Sequence, residues 1–369
     1  MTAPNRHVAV TGAGLECATG DRPGALLGAL LAGMPAVRPR DELAQADPVT
    51  RELAAPVLAP VHPEAPIGHV DAGAVGNMLL TAIQGAMVGA DAPVDRVLLV
   101  LPDSDAACAR RLSQDAVLKR GRVAEPWMQD VVLECTTHRE APAALAALWR
   151  ALTEGRCRCA LVAGVDSLAN LESLTEAQRA GHVRTTEFPD GWALGEAAAC
   201  VRLEQDTRGV AGIRMHQPVA GHEPHHGAVG RNHLQGLGAA AGEALGAAGL
   251  KGEKPDAVFL ARAQESLAEL EWYHAHSGLW PQRLPARQQL AMRRGELEAP
   301  QPDLEPPVET LRPALTLGET GAAGLPVALA LAHARLQLDL MPVRHCLVLD
   351  APAGPERLAV CLSTQQTNH

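Results

Sequence analysis

Short apolar runs rich in Val and Leu alternate along the chain with longer Ala/Leu-rich stretches, and that alternation predicts strands and helices in turn. His7-Val-Ala-Val-Thr precedes a helical pattern over 24–32, and Arg96-Val-Leu-Leu-Val-Leu precedes one over 105–118. Val131-Val-Leu leads into a helix over 141–153, and Ala160-Leu-Val-Ala and Ala199-Cys-Val-Arg-Leu-Glu204 close this first series. A connector over 206–212 separates it from a second series. That series holds a helix over 232–249, the strand Ala257-Val-Phe-Leu, helices over 266–276 and 324–336, and final strands Cys346-Leu-Val-Leu and Leu358-Ala-Val-Cys-Leu. Strands alternating with helices imply an α/β fold in which helices cover a sheet. Residues 295–313, rich in Pro and Glu, read as a surface excursion because Pro cannot donate to a strand ladder.

Length and composition sharpen this picture. With 369 residues, 47% of them hydrophobic, the chain can bury a large core as one double-sized unit or two fused halves, at 1–205 and 206–369. With 2 Phe, 1 Tyr and 5 Trp, the core must close on Ala, Leu and Val, and stacking platforms for bases are scarce. The formal net charge of -10 repels a polyphosphate backbone, so nucleic acid is not an expected partner. Lys119, Arg120 and Arg122 form a local exception and read as a solvated helix end.

Eight cysteines, at 17, 108, 135, 157, 159, 200, 346 and 361, lie in apolar segments without zinc-site spacing or the density of a disulfide scaffold. They read as reduced core residues of a cytoplasmic protein. No basic leader precedes an apolar stretch, and no apolar run reaches the roughly 18 residues of a membrane span, so no membrane contact is expected. His216, His222, His225, His226 and His233 gather in a Pro/Gly-rich stretch whose spacing fits no preorganised metal site. That stretch reads as a solvated loop, with neither metal nor cofactor.

Four segments then stand out in order. They are His7-Val-Ala-Val-Thr-Gly-Ala-Gly-Leu15 with Ala18-Thr-Gly20 and Leu31-Ala-Gly33; Leu161-Val-Ala-Gly-Val-Asp-Ser-Leu168; Pro189-Asp-Gly-Trp-Ala-Leu-Gly-Glu-Ala-Ala-Ala-Cys-Val-Arg-Leu-Glu204; and Gly318-Glu-Thr-Gly-Ala-Ala-Gly324. Together they resemble the landmarks of β-ketoacyl synthases of the thiolase fold. The third resembles the family's Asp-Gly-Phe-x-x-Gly-Glu-Gly-Ala signature with two substitutions, and the fourth its Gly-His-Thr-x-Gly-Ala-Ala-Gly segment, one residue shorter. The resemblance implies a thiolase-like fold of two similar halves in a layered α-β-α-β-α arrangement, dimerising through the strand at 131–133.

Chemistry is where the resemblance breaks down. A condensing enzyme of this family needs a thiolate at the start of the central helix, where the helix dipole lowers its pKa, and two histidines. The family's spacing places the nucleophile at His138, within Cys135-Thr-Thr-His-Arg-Glu-Ala-Pro142. Pro142 suits the first helical turn and leaves Cys135 on the strand as a buried structural thiol; only a shifted helix entry would make it a nucleophile. His138 reads as a turn residue, with a general base as the alternative. The first family histidine is replaced within Arg262-Ala-Gln-Glu-Ser266, and the second by Glu319, which with Thr320 reads as a cap for backbone N–H groups. The lysine that normally precedes the last segment is replaced within Ala314-Leu-Thr-Leu, and the gating Gly-Phe-Gly-Gly loop corresponds to Ala351-Pro-Ala-Gly-Pro355. Cys135, His138 and Glu319 are thus vestigial site positions, and no catalytic set is intact.

The stretches around 103–135 and 167–190 are short for the family, so the cap over the substrate is trimmed. This resembles short ketosynthase-like proteins encoded beside type VI secretion components. The expected role is a catalytically inactive scaffold that binds a protein partner, in effector loading, as a homodimer or as a heterodimer with a related thiolase-fold chain. The rival is an acyltransferase or chain-length-factor-type subunit of a fatty acid or polyketide ketosynthase. It predicts an acyl adduct on Cys135 or pairing with a Cys-bearing homologue. The net charge of -10 fits poorly with acyl-carrier proteins, which are themselves acidic.

Overall fold

The first apolar run forms β1 (His7–Cys17) in the computed structural model, which describes residues 7–46, 52–90, 92–103, 131–206, 212–224, 226, 234–262, 266–280, 286–296, 308–338 and 341–364. The rest of the first series is α1 (Pro23–Leu31), β2 (Val57–Ala59), α2 (Ala72–Ala86), β3 (Arg96–Leu101), β4 (Val132–Thr137), α3 (Ala141–Thr153), β5 (Cys159–Ser167), α4 (Leu171–Arg179) and β6 (Leu194–Asp206). The second series opens with β7 (Ile213–Met215), β8 (Val219–His222), α5 (Gly236–Ala247), β9 (Ala257–Leu260), α6 (Ser266–Leu279) and α7 (Ala286–Arg293). It closes with β10 (Glu309–Leu311), α8 (Pro313–Leu317), α9 (Gly324–Leu336), β11 (His345–Asp350) and β12 (Glu356–Thr364).

The main sheet runs β10-β9-β11-β12-β7-β1-β6-β5-β3-β4. One pairing pattern occurs twice. In the first series β4, β3 and β5 are parallel, β6 is antiparallel to β5, and β1 is antiparallel to β6. In the second, β10, β9 and β11 are parallel, β12 is antiparallel to β11, and β7 is antiparallel to β12. The two sets join where β1 lies antiparallel to β7, with Val8 opposite Met215.

Strand side chains alternate between faces, and that alternation builds three cores. On β3, Leu98 and Val100 face a central core with α1, α3 and α9, while Val97, Leu99 and Leu101 face an outer core under α2. A third core lies between α5, α6 and the outer face of β8, β9, β11 and β12. The layers are therefore α-β-α-β-α. Every residue of β5 is buried, as befits a strand covered on both faces. On α9 every residue but Ala334 is buried, which is why its sequence is apolar all round as far as Ala332. α2 lies so close on β1 that a Cβ on Gly14 would sit 2.0 Å from the Ala82 carbonyl oxygen.

Several details depart from the sequence reading. α2 escapes notice because Gly73 and Gly76 break up its apolar pattern, and α4 because most of its residues are polar. The Pro/Glu-rich segment is not wholly a surface excursion: Glu309–Leu311 adds a parallel strand beside β9, with Val308 and Leu311 buried. The helix read at 105–118, the basic cluster Lys119, Arg120 and Arg122, and Cys108 lie outside the described residues. Among the described residues, no helix is long and apolar enough to cross a membrane.

Candidate functional site

β9 and β11 end side by side, with Leu260 opposite Leu349. Two residues past β9 is Arg262, and the last residue of β11 is Asp350, so the parallel register brings both to one place. Arg262 Nε donates to Asp350 Oδ1 at 3.0 Å, and both side chains are buried. Arg262 Nη1 also lies 3.6 Å from Glu319 Oε1. A single guanidinium thus bridges two carboxylates from separate segments.

Glu319 is held by the backbone around it. Its N–H donates to the Ala193 carbonyl (2.7 Å), and its own carbonyl accepts from Gly195 N–H (2.9 Å) at the start of β6. The approach requires glycines. Gly318 has φ of 74°, and a Cβ on Gly195 would sit 2.0 Å from the Leu317 carbonyl oxygen. Glu319 Oε1 accepts from Gly321 N–H at 3.1 Å, which matches the capping role read from the sequence for Glu319, whereas the Thr320 side chain makes no cap hydrogen bond. Asp166, at the end of β5, accepts from Ala322 N–H at 2.9 Å and pins the same turn to the first half.

His138 occupies the short turn between β4 and α3. Asp103 holds that turn: its Oδ2 is 2.6 Å from Arg139 Nε, and its Oδ1 is 3.6 Å from His138 Nδ1, which makes no hydrogen bond. Burial lowers the His138 pKa to about 3, helped by the positive charges of Arg262 and Arg139. The Arg262 charge therefore acts on His138 as well as pairing with Glu319.

Cys135 does not join them. It lies opposite Leu99 in the β3–β4 ladder and packs against the outer core under α2, whereas α3 covers the inner face. One strand position decides the face, and His138 lies three positions beyond Cys135. Burial raises the Cys135 pKa, so the thiol also lacks thiolate character.

The chemical capacity of the cluster follows. An arginine stays protonated near neutrality and gives up no proton. An imidazole with a pKa of about 3 is too weak a base at neutral pH, where an effective one has a pKa near the working pH. Burial raises the Asp350 pKa and the Arg262 guanidinium opposes that rise, so the pair balances charge inside the fold. Arg262 was visible in the sequence only as a lost histidine. Asp350 and Asp103 were not recognised, although a carboxylate ending the apolar strand Cys346-Leu-Val-Leu is a readable sign of a buried partner.

Among the described residues, no three members of the histidine-rich stretch come together. His216 is buried and pairs with Ser363 Oγ at 2.8 Å, correcting its reading as part of a solvated loop. His222 ends β8, and His225 and His233 lie outside the described residues. Next to them the buried Glu223 caps α5 by accepting from Gly236 N–H at 2.8 Å. No group of three or more His, Cys, Asp or Glu that could hold a metal ion occurs among the described residues.

The family model for the beta-ketoacyl synthase N-terminal domain matches residues 141–208, from α3 to the end of β6. No curated protein matches the chain. Among solved structures, a type II PKS acyl-carrier protein in complex with its ketosynthase bound to the hexaketide is similar with a TM-score of 0.70 at 12% identity, covering 99% of this chain and 100% of that one. The ishigamide ketosynthase/chain length factor has a TM-score of 0.66 at 15% identity, covering 98% and 100%. A ketosynthase in complex with its chain length factor from Xenorhabdus doucetiae has a TM-score of 0.66 at 13% identity, covering 99% and 100%. The chain therefore has the thiolase-like α/β fold of the ketosynthases, and residues 141–208 carry the sequence pattern of their N-terminal domain.

Proposed function

We propose that this protein is a catalytically inactive ketosynthase-fold scaffold that works by binding a protein partner. The observation that carries the reading is the buried Arg262, bridging Asp350 and Glu319. By the family resemblance, Arg262 and Glu319 take the places of the two histidines a condensing enzyme uses to activate a malonyl group and hold its enolate. A guanidinium and a carboxylate locked together cannot perform those two roles. The entry to α3 carries His138-Arg139-Glu140 in place of a thiol, so no acyl chain can be held there as a thioester.

The partner docks most naturally at β4. Among the described residues this strand ends the main sheet's path, and its Val132 is 56% exposed, so its outer side can extend a ladder with a second chain. The second chain is either another copy or a related thiolase-fold protein. Effector loading in type VI secretion is the setting we favour, on the resemblance of Val162-Ala-Gly-Val-Asp-Ser167 and Gly318-Glu-Thr-Gly-Ala-Ala-Gly324 to the short ketosynthase-like proteins of those systems. A cytoplasmic location goes with that setting.

A second reading is favoured by the similarity to structures of ketosynthases with their chain length factors. In it, the chain is the non-condensing half of a heterodimer with a cysteine-bearing ketosynthase. Co-purification of the tagged protein with the products of neighbouring genes tests both. Recovery of a secretion component supports the first reading, recovery of an active ketosynthase supports the second, and a monomer without partners contradicts both.

A further inference from the structure

A second polar site lies at the same end of the strands, on the opposite face of the sheet. β1 and β5 run in the same direction, since each is antiparallel to β6 between them. Glu16 stands one residue from the end of β1 and Ser167 is the last residue of β5. In open α/β sheets, crevices outside the carboxyl ends of such strands are where ligands bind. Glu16 pairs with Ala198, so Glu196, two residues earlier on β6, projects to the same face.

Between these carboxylates, the 60–71 segment and the first turns of α2 there is a cavity of about 250 Å³. Glu196 is fixed in place: its Oε1 accepts from the Ser167 hydroxyl at 2.6 Å and its Oε2 from Val61 N–H at 3.0 Å. Glu16 is different. Its Oε2 makes no hydrogen bond, and the residue, half-buried, is one of those lining the cavity. A buried acceptor without a donor is costly.

The remaining walls set the shape of the complement. Ile67, Val75 and Met78 supply apolar surface, and among the described residues no Lys or Arg lines the cavity. Of its two imidazoles, His69 is engaged by Glu172 Oε1 at 2.6 Å, and His62 is the other. The carboxylates and imidazoles do not converge in threes as metal ligands among the described residues. Small-molecule sites commonly span about 300–1,000 Å³, so this cavity suits a short chain and not a coenzyme.

We propose that this cavity binds an organic cation, an alkyl chain ending in an ammonium or guanidinium, with the stem on the apolar wall and the charged head on Glu16 and Glu196. A lysine or arginine side chain of a protein partner and a free diamine share this chemistry. The site is separate from the Arg262 cluster and does not depend on the function proposed above.

Calorimetric titration of the full chain tests it, using cadaverine, a lysine blocked at both ends, and neutral 1-pentanol as control. Both cations bind and pentanol does not. Glu16→Gln, which keeps shape and removes charge, weakens the cations by about tenfold or more. Ala74→Trp, at an exposed lining position, blocks them without entering the core. Tighter binding of the blocked lysine assigns the site to a protein side chain, and tighter binding of cadaverine to a free diamine. No binding by either cation, or equal affinity in a folded Glu16→Gln variant, overturns the proposal.

Discussion

Arg262 donates to Asp350 at 3.0 Å, between side chains that are 6% and 0% exposed, at the point where two parallel strands end. A pair so deeply buried is costly to form and costlier to break, because removing one partner strands the other charge out of water. Arg262→Met should therefore destabilise the protein by about 3–5 kcal/mol in urea unfolding. Adding Asp350→Leu should recover much of that loss, since the double variant leaves neither member of the pair. If the single substitution is as stable as the parent, the cluster does not hold the site together.

Acid should weaken the fold through histidines buried as neutral rings. Burial lowers His216 and His333 to about 4 and His138 to about 3, each from an ordinary value of 6.5. The unfolded chain takes up these protons at a higher pH than the folded one. The stabilisation is thus fully present above about pH 6.5 and is lost as the pH falls through about 4. His333, 6% exposed and inside α9, is the cleanest probe. His333→Leu should flatten the decline in urea midpoint between pH 7 and pH 4.5, with a difference on the order of 1–3 kcal/mol.

The close approach at Gly195 holds Glu319 in place. A Cβ there would meet the Leu317 carbonyl at 2.0 Å, a backbone atom that cannot swing aside. Gly195→Ala should cost about 2–3 kcal/mol. Gly246→Ala, in α5 with open space around its Cβ, should be neutral or stabilising in the same melting experiment.

At Cys135, burial raises the pKa and the side chain packs on the outer core, so alkylation at pH 7.5 should be slower than for an unfolded peptide bearing the same thiol. Peptide mapping after timed iodoacetamide treatment measures this. Cys135→Ser should leave partner binding unchanged.

Docking through β4 makes Val132 a sensitive position. Val132→Lys on this exposed strand should shift the assembly toward single chains in light scattering. An unchanged mass would move the interface elsewhere.

Much of the architecture was legible because Val- and Leu-rich runs such as Arg96–Leu101 and Ala257–Leu260 are short enough, and alternate regularly enough with helical stretches, to read as strands. Pro142 correctly marked the first turn of α3, and the glycines of 318–324 marked a tight helix entry. The site was legible in part. Sequence order put no thiol at 138–140 and no histidine at 262 or 319, but did not show that Arg262 and Asp350 pair, because 87 residues and a parallel register lie between them and registry is not written locally. Asp103 was missed for the same reason: its partners, His138 and Arg139, lie beyond an intervening segment.

The most direct test of the central claim is the intact mass of the protein after incubation with acyl-CoA. The Arg262 cluster and the thiol-free entry to α3 predict an unchanged mass. A stable acyl adduct, on Cys135 or any other side chain, would contradict the account and return the protein to the acyltransferases.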